Sequence, residues 1–123
     1  MNQYSLIRAF WYNDIETVKS ILDKESNVNK KYETALITAI FMNKIEIIKL
    51  LLIRDFDINI KNDKNETALI VSAMYNYIDI VKLLLYNDCN VDIKNDKNET
   101  ALLIAIKNNN IEIVRLLQNY IKN

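Results

Sequence analysis

Ten letters, IKNDKNETAL, run from Ile60 to Leu69 and again from Ile93 to Leu102, 33 residues further on. Repetition at a fixed period constrains a fold more than any local propensity, because each period must be one structural unit meeting the same surroundings as the last. The shorter string ETAL occurs three times, at Glu33 to Leu36, Glu66 to Leu69 and Glu99 to Leu102. A second block follows each copy: NKIEIIKLLL from Asn43, NYIDIVKLLL from Asn76 and NNIEIVRLLQ from Asn109. A divergent copy, YSLIRAFWYNDIETVKSIL, begins at Tyr4, and its connection to the next unit is three residues shorter. The chain therefore reads as one domain of four units, at about 1–31, 32–64, 65–97 and 98–123.

Inside a unit the apolar spacing is helical. Leu69, Ile70 and Ala73 share one face of a first segment, and Ile78, Val81, Leu84 and Leu85 form a stripe on a second. Thr34, Thr67 and Thr100 stand where a hydroxyl can accept from an orphan N–H at the start of the first helix. The chain has no Gly and no Pro, so Asn, Asp and Lys must make the turns. Asn tolerates left-handed backbone, and Asn76, between the two segments, is placed to end a helix in that conformation. Each unit thus predicts helix, tight turn, helix and a polar loop. One such pair cannot bury its own apolar stripe; stacking neighbours does.

The string ETAL, then SA, NYIDIVKLLL and DCNVDIKND, resembles the ankyrin repeat, whose pattern is T-P-L-H-x-A-A followed by G-H-x-x-V-V-x-L-L-L-x-x-G-A-D-V-N. The resemblance covers nearly the whole chain, with the first unit as an N-terminal cap, and implies an all-α ankyrin-repeat solenoid. The departures are systematic. Ala35, Ala68 and Ala101 replace the proline, and Ile37, Ile70 and Leu103 replace the histidine. Asn43, Asn76 and Asn109 stand at the first glycine, and Glu25, Asp55 and Asp88 at the second. The family's histidine ties neighbouring loops together, so loop rigidity is the property expected to suffer. Gln118 replaces the leucine found at Leu52 and Leu85, which blunts the C-terminal face and favours a monomer over end-to-end stacking.

Composition removes whole classes of function. Lys and Arg number 16, as do Asp and Glu, so no long-range pull toward nucleic acid or an anionic membrane exists. The longest apolar run, IEIIKLLLI from Ile45 to Ile53, carries Glu46 and Lys49 and is too short for a bilayer, which takes roughly 20 residues. MNQYSLIRAF lacks the basic start and apolar stretch of a signal peptide. The single cysteine, Cys89, cannot form an internal disulfide. These features point to the cytosol. Without histidine the commonest general base and metal ligand are missing. Cys89 falls where the family has a small buried alanine and is expected to be a core thiol. The sequons Asn65-Glu66-Thr67 and Asn98-Glu99-Thr100 are taken as accidental, their threonines as helix caps. No catalytic, metal-binding or cofactor-binding residue is expected.

Two candidate binding surfaces remain. The residues before each turn asparagine are Trp11 and Tyr12, Phe41 and Met42, Met74 and Tyr75, then Lys107 and Asn108. In ankyrin-like stacks these positions look onto a concave groove and are usually polar or mixed; here three successive pairs are aromatic or Met. Stacked, they would form an apolar stripe ending in a polar patch, and such stripes mark interaction surfaces. The competing expectation is that Trp11, Phe41 or Met74 tucks between helices as core. The second surface is the loop tips, Lys30 to Glu33, Asn62 to Glu66 and Asn95 to Glu99. There Lys31, Lys64 and Lys97 form one ladder, and Glu33, Glu66 and Glu99 another, expected to be a solvated row of charge at the helix starts. The expected function is non-catalytic binding of an unidentified protein partner, as a small adaptor or inhibitor. Alternatives are an immunity-type or host-directed protein that blocks a partner, an enzyme built without histidine, and a self-associating scaffold.

Overall fold

The computed structural model describes residues 3–24, 34–54 and 56–122. Every regular element among them is an α-helix: α1 (Gln3–Trp11), α2 (Ile15–Lys24), α3 (Ala35–Phe41), α4 (Ile45–Leu52), α5 (Ala68–Met74), α6 (Ile78–Tyr86), α7 (Ala101–Lys107) and α8 (Ile111–Lys122). The chain divides into two compact units, Met1–Asp57 and Ile58–Asn123, each holding two helix pairs.

The helix pairs are made by asparagine. Asn13, Asn43, Asn76 and Asn109 all have φ between 55° and 61°, the left-handed region that most side chains avoid. At Asn43 the N–H donates to the Ile40 carbonyl (2.9 Å) and the Lys44 N–H to the Ala39 carbonyl (3.0 Å). That pair of bonds defines a Schellman stop, and Asn13 and Asn109 repeat it. Asp88 (φ 58°) closes α6 in the same way, at the second glycine position. Glu25 and Asp55, its counterparts, lie outside the described residues.

In Met1–Asp57, α1 packs on α2, α3 on α4, α1 on α3 and α2 on α4. Phe10, Leu36, Ile40, Ile47 and Leu51 are sealed in its core, each contributing about 1.5–3 kcal/mol by burial. Asp14 caps α2, taking the Thr17 N–H (3.2 Å) and hydroxyl (2.6 Å). In Ile58–Asn123, α5 packs on α6 and α7, and α8 on α6 and α7. Ile70, Ile80, Val81 and Leu84 fill that core. Ile78, assigned to the stripe from its spacing, is half-buried, while Ile80 is fully inside. A helix that packs on two neighbours buries a wider arc than one stripe.

Thr67 and Thr100 cap as expected: extended backbone (ψ 172° and 167°) lets each hydroxyl accept from the N–H three residues on, at 3.2 Å. Thr34 does not. Its backbone is already helical (φ −93°, ψ 0°), which turns the hydroxyl away from the N–H it would cap.

Candidate partner-binding surface

The repeated string forms a turn that closes on itself. Asn62 Oδ1 accepts from the N–H of Lys64 (2.9 Å) and of Glu66 (3.0 Å), while Asn62 Nδ2 donates to Glu66 Oε1 (2.9 Å). Asn95 does the same to Lys97 and Glu99. Asn65 and Asn98 supply the left-handed residue, with φ 58° and 63°. The loops are also tied together, without the family's histidine: the Asp96 N–H donates to the Lys64 carbonyl (3.1 Å), and Asn65 Nδ2 donates to Asp96 Oδ1 (2.6 Å). For this pair of loops, a backbone bond and the Asn65 side chain supply ties where the family uses its histidine.

This closure corrects an expectation. Glu66 and Glu99 are not part of a solvated row; both are buried, at 8% and 9% exposure. The asparagine four residues earlier folds each carboxylate back under the loop. Lys64 and Lys97 remain exposed. Lys31 and Glu33 lie outside the described residues. Glu99 is completed by Lys107, whose Nζ donates to Oε2 at 2.6 Å. That bond, followed by the one from Asn95, holds the Glu99 carboxyl below the usual carboxylate range.

In Ile58–Asn123 the two sequence-predicted surfaces meet. A cavity of about 530 Å³ is lined by Met74, Lys107 and Asn108 from the ends of α5 and α7, and by Lys64, Glu66, Lys97 and Glu99 from the loops. Tyr75 stands outside that lining, half-exposed, its ring 5.7 Å from the stacked ring of Tyr77. Asn110 Nδ2 donates to the Ala73 carbonyl (2.9 Å), fixing the end of α5 beside the turn of the next repeat.

In Met1–Asp57, Trp11 is 68% exposed and Tyr12 69%, and Phe41 is exposed; Met42 is half-buried. The core here is closed by Phe10, not by Trp11. Lys44 Nζ reaches the Trp11 carbonyl (3.4 Å), and the Arg8 guanidinium stands 6.0 Å from the Tyr12 ring centre. The two aromatic ends therefore rest on adjacent, packed helices α1 and α3.

Sequence reasoning missed several exposed apolar side chains, among them Ile53 and Tyr86, which occupy equivalent places 33 residues apart at the ends of α4 and α6. Their signal was that shared register. Cys89 is buried, and burial pushes its thiol up to about 11. No group of acidic or cysteine side chains among the described residues is arranged to hold a metal. No described helix is long and apolar enough to cross a membrane.

Successive helix pairs, each joined by the same asparagine turn, define an α-helical repeat protein. The ankyrin-repeat family model matches residues 6–95 as three copies, and a single ankyrin repeat matches residues 97–121. The chain belongs to the ankyrin-repeat family, and its fold class is the all-α ankyrin-repeat solenoid. No curated protein matches it as a relative. Ankyrin repeats are generally protein–protein interaction modules and are typically non-catalytic.

Proposed function

We propose that the protein is a non-catalytic adaptor or inhibitor that grips a protein partner with the ends of its first helices, namely Trp11, Tyr12, Phe41 and Met42 in one unit and Met74, Tyr75, Lys107 and Asn108 in the other. The exposure of Trp11 and Tyr12 carries this reading. Two aromatic side chains are held in water on a helix whose turn and packing are otherwise complete. Rings in that state gain about 0.5–1.5 kcal/mol beyond area burial when a partner's ring packs on them, and Trp and Tyr are enriched among interface hot spots. Loop residues Lys64, Glu66, Lys97 and Glu99 border the same cavity as Met74 and join the surface there. A cytosolic setting and a monomeric state belong to the same proposal. Gln118 is exposed on α8, and the one thiol is buried rather than paired.

The test is affinity capture from the native source with the wild-type chain and a W11A/F41A/M42A/Y75A variant. Urea melts establish that both are folded. A partner retained by wild type and lost from the folded variant supports the reading. A partner retained equally by both overturns it.

A further inference from the structure

The two identical loops of Ile58–Asn123 hold their glutamates alike and complete them differently. Glu99 gives Oε1 to Asn95 and Oε2 to Lys107. Glu66 gives Oε1 to Asn62, but 33 residues before Lys107 the chain has Met74. Within this unit no Lys or Arg among the described residues forms an ion pair with Glu66. Glu66 is only 8% exposed, with one oxygen bonded by Asn62 and no cation, yet its second oxygen is not sealed from solvent and can be reached from the cavity. It lines the same cavity as Met74, which stands one repeat before Lys107, the residue that reaches Glu99. An anion next to an apolar, deformable thioether is the complement of a basic side chain, which carries a charged head on an apolar stem.

We propose that Glu66 and Met74 form a subsite for a lysine or arginine side chain presented by the protein partner, the cation seated on Glu66 Oε2 and the stem lying along Met74. The pair of Lys107 on Glu99 is the internal template: the same acid, on the same turn, already holding a cation. The inference rests on the partner-binding reading and names the chemistry of one anchor within it. The rest of the cavity does not compete for that oxygen. Lys107 is held by Glu99, Asp96 accepts from Asn65, and Lys64 and Lys97 are exposed without pairing to Glu66. Three cations face three carboxylates across the cavity (Lys64, Lys97 and Lys107 against Glu66, Asp96 and Glu99). Selection is therefore by contact and not by long-range attraction.

The experiment is a titration of the ¹⁵N-labelled protein, followed by amide NMR, with capped alanine peptides carrying one central lysine, arginine or uncharged norleucine. The lysine or arginine peptide shifts the amides of Asn62, Glu66 and Met74 saturably, with affinity on the order of millimolar, and norleucine binds at least tenfold more weakly. Glu66→Gln keeps an oxygen for Asn62 but loses the charge. Met74→Lys supplies the cation from within. Each weakens the basic peptide at least tenfold while the remaining amide spectrum stays native. No response to either basic peptide, equal binding of norleucine, or unchanged binding by both variants overturns the proposal. The capture experiment separates this failure from that of the parent reading. A partner lost from the aromatic variant but kept by Glu66→Gln leaves partner binding standing and removes the basic anchor. Peptide binding at Glu66 with an unaltered capture does the reverse.

Discussion

Replacing Asn62 by Ala measures the turn that the repeated letters encode. The substitution removes an acceptor from two N–H groups and a donor from one carboxylate. The Lys64 N–H is exposed and turns to water, at a loss of about 0.5 kcal/mol. The Glu66 N–H is partly buried, and leaving it unsatisfied costs about 1–2 kcal/mol. The hydrogen bond that Asn62 Nδ2 donates to Glu66 Oε1 is charge-assisted, and its loss adds about 0.5–1.5 kcal/mol, since Glu66 has no cation to fall back on. The sum is about 2–4 kcal/mol. Asn62→Asp separates the two functions. It keeps the acceptor for both N–H groups but sets a carboxylate against Glu66, so it is destabilising through repulsion while the turn persists. Urea unfolding of the wild type and both variants, with fluorescence and circular dichroism compared for coincidence, gives the values. A loss below about 0.5 kcal/mol for Asn62→Ala would refute the view that this side chain organises the loop.

Asn76→Gly is expected to be neutral or mildly stabilising and Asn76→Ile to cost on the order of 1 kcal/mol or more, because φ is 59° there and a β-branched residue resists left-handed backbone; equal urea midpoints for the two contradict the turn. The Cys89 thiol, raised to about 11, leaves about a thousandth as thiolate at pH 8 even when reached by solvent. Alkylation is therefore expected to be slow in buffer and to accelerate through the urea transition, and fast stoichiometric labelling of the folded chain rules out a core thiol. Lys107→Met removes the main cause of the lowered Glu99 carboxyl. A folded-state value below the unfolded one stabilises above the usual value of 4.5 and loses that effect as pH falls through the folded value. The melting temperature of the variant therefore lies below wild type at pH 7, and the gap closes in acid below pH 4.5. A gap that persists to pH 2 contradicts the pairing.

The helices, their order and their stops were legible because each depends on residues within one turn of chain. Thr67 and Thr100 reach an N–H three residues away, and Asn76 needs only its own backbone. Cys89 was legible too, by analogy with the small buried residue of its repeat. The burial of Glu66 and Glu99 was not, since charge argued for water and the asparagine four residues earlier decided otherwise. The spacing N-x-x-x-E in both copies was the available signal. Thr34 shows the converse: its letters match Thr67, but its ψ of 0° does not. Sequence placed groove and loop tips on two surfaces. Only geometry shows Met74 and Lys107 sharing a cavity with Glu66 and Glu99.

The central claim is that the first-helix ends meet the partner. Oxidative footprinting of the chain, free and bound to a captured partner, reads this directly, because the side chains concerned are the readily oxidised ones. The account predicts protection of Trp11, Tyr12, Phe41, Met42, Met74 and Tyr75 on binding, with Tyr86, exposed at the end of α6, unchanged. Protection of Tyr86 and Ile53 with the first six residues oxidised as in the free chain would place the partner on the second helices and contradict it.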